Sequence, residues 1–211
     1  MRYLDPRADM VEFVPFDASK VLDVGCAAGR FGASLRERGF DGELWGIDPE
    51  LSAYEPHSVY EKQIAGCYPD DVPQGETFDC IMFNDILEHL VDPWSTLRQT
   101  HDLLGPGSSV VASIPNIRNW RVLHPLVLHG RWDYAEAGIL DRTHLRFFTG
   151  ATARELFESS GFVVDRLEPH NLDWNRRLRQ LNRLLAGSLD DFLCLQHVVV
   201  AHSRSTNHNL S

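Results

Sequence analysis

The run Asp23-Val24-Gly25-Cys26-Ala27-Ala28-Gly29-Arg30-Phe31-Gly32 puts a carboxylate inside an apolar segment and glycines directly after it. Glycine lets a backbone approach a ligand closely, and a helix that starts after such a loop offers unpaired N–H groups. A loop that binds the pyrophosphate of a dinucleotide needs G-x-G-x-x-G, yet counting from Gly25 the second and third glycine positions hold Ala27 and Arg30. Asp23 would repel a diphosphate but suits a ligand carrying an ammonium and a sulfonium. Asp48 follows Gly29 by nineteen residues, in Trp45-Gly46-Ile47-Asp48. A carboxylate there can accept both hydroxyls of an adenosine ribose, or it can cap the turn Asp48-Pro49-Glu50.

A second set of reactive side chains lies in Asp85-Ile86-Leu87-Glu88-His89 and in Asp141-Arg142-Thr143-His144. On a helical turn Asp85 and His89, four positions apart, would face the same way. Asp85 would then orient the imidazole while its other nitrogen takes a proton from an acceptor. Alternatively, Glu88 and His89 only cap the segment before Val91-Asp92-Pro93. His144 is the second candidate, so that one histidine is the base and the other a ligand of the acceptor.

Apolar, β-branched runs alternate with amphipathic stretches, the signature of strands joined by crossover helices. Strands are expected at 20–25, 43–48, 60–65, 78–83, 109–114, 162–167 and 192–201, and helices at 30–38, 93–104 and 150–160, the last capped by Thr149. The implied architecture is α/β, Rossmann-like, with a seven-stranded, mostly parallel sheet, helices on both faces and an antiparallel last strand. In such sheets ligands bind beyond the strand C-ends, so the loops after Gly25, Asp48, Phe83 and Ile114 should build the site. We expect a single domain over residues 1–202, a lid insertion at about 116–147 and a disordered tail at 203–211. Trp120, Trp132 and Tyr134 in the insertion can stack on sugar faces or simply pack. Residues 174–185 form a basic amphipathic stretch, which suits a membrane-surface helix, a cover for the site or a homodimer contact.

Composition narrows the partners. With 30 acidic against 20 basic side chains, the net charge is −10, which disfavours a protein that tracks a nucleic-acid backbone. The four cysteines, Cys26, Cys67, Cys80 and Cys194, lack zinc-site spacing and read as reduced thiols of a cytoplasmic protein. No apolar run approaches the roughly 20 residues of a transmembrane helix, and the first residues lack a signal-peptide core, so a soluble, intracellular chain is expected.

Three motifs together resemble the class I S-adenosylmethionine-dependent methyltransferases: Val21-Leu22-Asp23-Val24-Gly25-Cys26-Ala27-Ala28-Gly29, then Gly46-Ile47-Asp48, then Phe78-Asp79-Cys80-Ile81 followed by Asp85-Ile86-Leu87-Glu88-His89-Leu90. The resemblance extends from Tyr3 to about Ala201 and is strongest to the branch that includes ubiquinone-biosynthesis O-methyltransferases and many methyltransferases associated with bacterial glycan synthesis. The stretches 115–120 and 138–149 are similar to methyltransferases associated with bacterial glycan synthesis. It implies S-adenosyl-L-methionine as cofactor and a small-molecule or glycan acceptor methylated on oxygen. It also implies that Arg7 holds the cofactor carboxylate, that Asn84 and Asp85 line the methionyl and adenosyl groups, and that Gly25, Cys26, Ala27, Gly29, Phe31, Asp48 and Pro49 complete the cofactor site. Ala27 stands where the family usually has a glycine, and Cys67 near where many relatives place an acidic residue for adenine. Asp85, Glu88, His89 and His144 further resemble a divalent-metal set in small-RNA 2′-O-methyltransferases, with Asp85 in place of the usual glutamate. Whether a metal binds stays open at this point, and the rival readings are a metal-dependent RNA 2′-O-methyltransferase and a non-catalytic cofactor-binding protein.

Overall fold

The structure, a computed structural model, describes residues 6–55, 58–172, 180, 182–185 and 187–204. The basic stretch at 174–185 lies largely outside the described residues, as does the tail beyond 204. Seven strands form one sheet: β1 Lys20–Val24, β2 Glu43–Asp48, β3 Lys62–Ala65, β4 Phe78–Asn84, β5 Leu104–Pro115, β6 Phe162–Leu172 and β7 Cys194–Ser203. Their order is β3-β2-β1-β4-β5-β7-β6. Strands β1 to β5 pair in parallel, and β7 runs antiparallel to both β5 and β6, as expected from the sequence.

Period-2 alternation makes each central strand feed two cores. On β1, Leu22 and Val24 enter one and Val21 the other; on β4, Ile81 and Phe83 enter the first, and Cys80 and Met82 the second. Helices cover both faces. Leu97 of α2 (Pro93–Thr100) and Ala153, Leu156 and Phe157 of α4 (Gly150–Ser159) pack on the first face. Phe31 and Leu35 of α1 (Arg30–Glu37) pack on the second, beside a 3₁₀ segment at Ala8–Phe13. Thr149 caps α4 by accepting from the Thr152 N–H, so the expected cap forms.

Several boundaries differ from the sequence expectation, among them the starts of β3 and β7, each two residues later than expected. The second helix ends at Thr100, and β5 begins at Leu104, inside the expected helix, and runs through Gly105-Pro106-Gly107 ahead of the expected strand start at 109. Strand β6 continues to Leu172 because it pairs along its length with β7. The insertion at 116–147 is not wholly irregular: α3 (Trp120–His129) starts on the Asn119 side chain and ends at Gly130, whose φ of 62° needs glycine. Pro125 inside it and an outward face carrying Val127 and Leu128, 74% and 64% exposed, hide the helical pattern. A short helix, α5 (Asp190–Leu193), leads into β7. Among the described residues no helix is long and apolar enough to cross a membrane.

Candidate active site

The C-ends of β1 and β4 and the insertion enclose a cavity of about 760 Å³, within the size range of small-molecule sites. Arg7, Asp23, Gly25, Cys26, Ala27 and Phe31 line it from the β1 side. Asn84, Asp85, His89 and His144 line it from the β4 side and the insertion. Three expected residues, Gly29, Asp48 and Pro49, are not in its wall.

Asp23 sits inside β1 with 1% of its surface exposed. Burial pushes its carboxyl up to about 7, with a smaller upward push from Asp48; the Tyr60 hydroxyl and the Asn84 amide favour the charged form without overcoming the loss of water. Tyr60 donates to Asp23 Oδ2 at 2.6 Å. The tyrosine reaches it because Gly32 of α1 has no side chain: a Cβ there would lie 2.6 Å from the Tyr60 ring. Both polar atoms of the Asn84 amide are buried and make no hydrogen bond of proper geometry. A half-ionised buried carboxyl and an unsatisfied amide in one apolar-walled cavity fit a ligand that is cationic at one end and rich in polar groups.

Asp48 does two local jobs. Its Oδ2 accepts from the Ala27 N–H at 3.0 Å and its Oδ1 from the Glu50 N–H at 2.7 Å. The carboxylate therefore fixes the glycine loop and caps its own turn, the plainer of the two readings made from the sequence. Ala27 is held by this bond at a φ of 43°, a left-handed conformation that favours glycine. Cys67 is exposed and outside the cavity.

The expected partnership of Asp85 with His89 is not formed. Asp85 leaves β4 with a φ of 56°, and only a single 3₁₀ turn, Leu87–His89, follows, so the two side chains share no helical face. Asp85 instead pairs with the Arg7 guanidinium and accepts from Ser113 Oγ at 2.9 Å and Gln196 Nε2 at 2.7 Å. Arg7 also donates to Gln196 Oε1 at 3.2 Å. Arg7 and Asp85 thus form one buffered ion pair at the cavity wall. Gln196, in the cavity wall, and Tyr60, which reaches Asp23 from behind it, are among the residues the sequence does not reveal; each acts across tens of residues of chain, and nothing in its local sequence marks it.

His89 meets His144 instead. Their ring centroids lie 4.7 Å apart, edge to face. His89 Nδ1 is 3.2 Å from the Thr143 carbonyl oxygen, and His144 Nδ1 is 3.0 Å from that of Ile139. Donation from each Nδ1 leaves Nε2 as the basic nitrogen. Glu88, buried beneath them, lies with Oε1 3.8 Å from His144 Nε2. Its carbonyl accepts the Leu145 and Arg146 N–H groups at 2.8 and 3.0 Å, which ties the insertion to the segment after β4. Ligand atoms of Glu88, His89 and His144 all lie within 4.8 Å of one another, so three members of the metal-like set meet and Asp85 does not join them.

A family model of the methyltransferase domain matches residues 2–167. The ubiquinone biosynthesis O-methyltransferase of Ruegeria pomeroyi is 31% identical over 109 residues, 48% of this chain and 43% of that protein. That of Cereibacter sphaeroides is 24% identical over 188 residues, covering 82% of this chain and 74% of its own. For the first two relatives, the alignment spans 43% and 63% of their length. Among solved structures, a SAM-dependent methyltransferase from Archaeoglobus fulgidus superposes with a TM-score of 0.67 at 18% identity, covering 92% of this chain and 91% of that one. One from Mesorhizobium loti gives 0.59 at 18% identity, covering 95% and 99%.

Proposed function

The chain belongs to the class I S-adenosylmethionine-dependent methyltransferases, and from there we propose that it moves the cofactor's methyl group to an oxygen of a small molecule or glycan precursor. The observation that carries this reading is the histidine pair at the cavity rim, each ring oriented by a backbone carbonyl. When bound, the cofactor supplies a methyl group already activated on a sulfonium. What remains for the protein is to hold the acceptor in line and to remove its proton.

Asp23 and the Asn84 amide would meet the cofactor's methionyl end, where the positive charge stabilises the Asp23 carboxylate against its burial. Arg7, kept in place by Asp85 and Gln196, would turn part of its guanidinium to the cofactor carboxylate. Asp48 keeps unused lone pairs for ribose hydroxyls while it holds the loop. His89, half-buried, faces the cavity as the base, and its Nε2 takes the acceptor hydroxyl proton. His144, more deeply set beside Glu88, orients the acceptor oxygen. The relatives named as O-methyltransferases support oxygen as the accepting atom.

The cluster of Glu88, His89 and His144 favours a second reading, in which these residues hold a divalent cation that binds the acceptor oxygen. A carboxylate with two neutral imidazoles suits such an ion. Methyl transfer from radiolabelled cofactor, run over hydroxyl compounds and their amine counterparts with and without chelator, separates the readings. Loss of transfer with chelator and recovery with Mg²⁺ or Mn²⁺ selects the metal. His89→Ala is expected to lower turnover about 10²–10⁴-fold while cofactor binding stays within about twofold. Near wild-type turnover in both His89→Ala and His144→Ala would end the proposal.

A further inference from the structure

Where α5 enters β7, beside the cavity-lining Leu195 and Gln196, three ligand-type side chains that the active site does not use converge from a seven-residue stretch: Asp191, Cys194 and His197. His197 is 2% exposed, its Nδ1 makes no hydrogen bond, and its Nε2 meets two neighbours only at a distance. Cys194 Sγ lies 3.8 Å from that Nε2 on one side and Asp191 Oδ1 3.8 Å on the other. All three ligand atoms fall within 4.8 Å of one another.

An N···O separation of 3.8 Å is too long for a direct hydrogen bond, so Nε2 has only the weak contact with the Cys194 sulfur at 3.8 Å, and the buried Nδ1 has no partner. The same spacing suits a shared cation. With Zn–S near 2.3 Å and Zn–N or Zn–O near 2.0 Å, tetrahedral ligands stand about 3.3–3.6 Å apart. Bringing sulfur and carboxylate to the imidazole nitrogen takes about 0.2–0.5 Å from the observed 3.8 Å, and the third pair, within 4.8 Å, closes by about 1 Å at most. The surrounding groups are arranged as partners of ligands. Arg118 holds Asp191 Oδ2 at 2.8 Å and so leaves Oδ1 turned toward the imidazole. The buried Asn116 amide nitrogen lies 3.1 Å from Cys194 Sγ, where its N–H stabilises a thiolate. Asp191, with 41% of its side chain exposed, gives the ion a way in and room for a water as fourth ligand.

We propose that Asp191, Cys194 and His197 form a zinc-class cation site that braces the start of β7. Binding forms bonds from the ion to Sγ, the imidazole Nε2 and Oδ1, and the thiol proton leaves to solvent. Sulfur with imidazole selects a borderline-soft ion such as Zn²⁺ over Mg²⁺ or Ca²⁺. The brace lies one residue either side of Leu195 and Gln196, and Gln196 is the residue that bonds Asp85 and Arg7. An ion here would stiffen the strand that delivers this contact to the cofactor cavity.

The test is a titration of the metal-free full chain with Co²⁺ alone, followed by displacement with Zn²⁺. The expected result is a thiolate-to-cobalt charge-transfer band that saturates at one equivalent and disappears when Zn²⁺ is added. Cys194→Ser should abolish the band. Glu88→Gln should keep it, since the histidine cluster at the cavity contains no sulfur, and Cys67→Ser should keep it too. Asp191→Asn, at a half-exposed position, should weaken binding tenfold or more with the fold intact. Zn²⁺ at a hundredfold excess over its dissociation constant should raise the melting temperature by roughly 5–10 °C. No band in the wild-type chain, or a band that survives Cys194→Ser, overturns the proposal. Should Cys194→Ser fail to fold, unchanged affinity in Asp191→Asn overturns it instead.

Discussion

The cavity wall built on β1 and β4 is anchored by the buried Asp23–Tyr60 pair and the Arg7–Asp85–Gln196 network, whereas the wall from residues 116–147 is held by backbone hydrogen bonds and by the buried amides of Asn116 and Asn119. In the first wall, Asp23 and Tyr60 are locked between two apolar cores, and the Arg7–Asp85–Gln196 network spans the sheet from β4 to β7. In the second, Ala135 bonds Leu140 and His144 bonds Asp141 within the insertion, and the Leu145 and Arg146 N–H groups tie it to the Glu88 carbonyl after β4. Its apolar residues divide, with Val122, Ile139 and Leu140 lining the cavity and Val127 and Leu128 mostly exposed. Deep burial gives fixed charges at shifted pKa values, while a locally bonded segment can open without disturbing a core. On the reading proposed above, cofactor recognition falls to the first wall, and the two acceptor histidines stand where the segment after β4 meets the second.

Substitutions in the two walls should therefore fail in different ways. The largest effect is expected from the second wall: His144→Ala should lower turnover about 10²-fold or more at unchanged cofactor affinity, read by steady-state rates beside calorimetry. A matching loss of cofactor affinity would mean that the walls are not separable.

Asp23→Asn should weaken cofactor binding about 10–100-fold at pH 8, the scale of a lost charge-assisted contact. The wild-type affinity should rise with pH up to about 7, where the Asp23 carboxyl ionises, and then level off. Stability runs the other way. Native Asp23 keeps its proton up to about 7 whereas the unfolded chain loses it near 3.8, so between these values the native state binds more protons. The cofactor-free chain then loses stability as pH rises through that window. Asp23→Asn should remove both slopes, and a melting curve series from pH 4 to 8 checks it.

Tyr60→Phe removes a buried donor and should destabilise the chain by about 1–3 kcal/mol by leaving the carboxyl with less support. In this variant the pH window of Asp23 should move upward. The smallest effect is expected at Leu128→Ser on the outer face of α3, within about 0.5 kcal/mol of wild type in chemical denaturation. A clear loss there would mean that a partner covers this face.

Much of the first wall can be read from the chain itself. Buried parallel strands appear as continuous apolar runs, so β1, β2 and β4 are visible, and their glycine and aspartate ends mark where a ligand must lie. The insertion is harder to read because Pro125 and outward apolar residues blur the period of α3. The expected Asp85–His89 face fails for a local reason: a left-handed residue at the strand end and a single 3₁₀ turn replace the helix that the four-residue spacing assumed.

By itself the sequence determined the alternation of strands and helices, the glycine loop and the approximate place of the two histidines, because apolar periodicity and glycine are local signals; the antiparallel last strand is what the family resemblance implied. Only the tertiary structure decided that His89 faces His144, that Asp85 belongs to Arg7 and Gln196, and that Tyr60 holds Asp23. These contacts join residues 37 to 111 positions apart. Such pairings depend on sheet order and on which side of a strand each residue faces, and no stretch of local sequence encodes either.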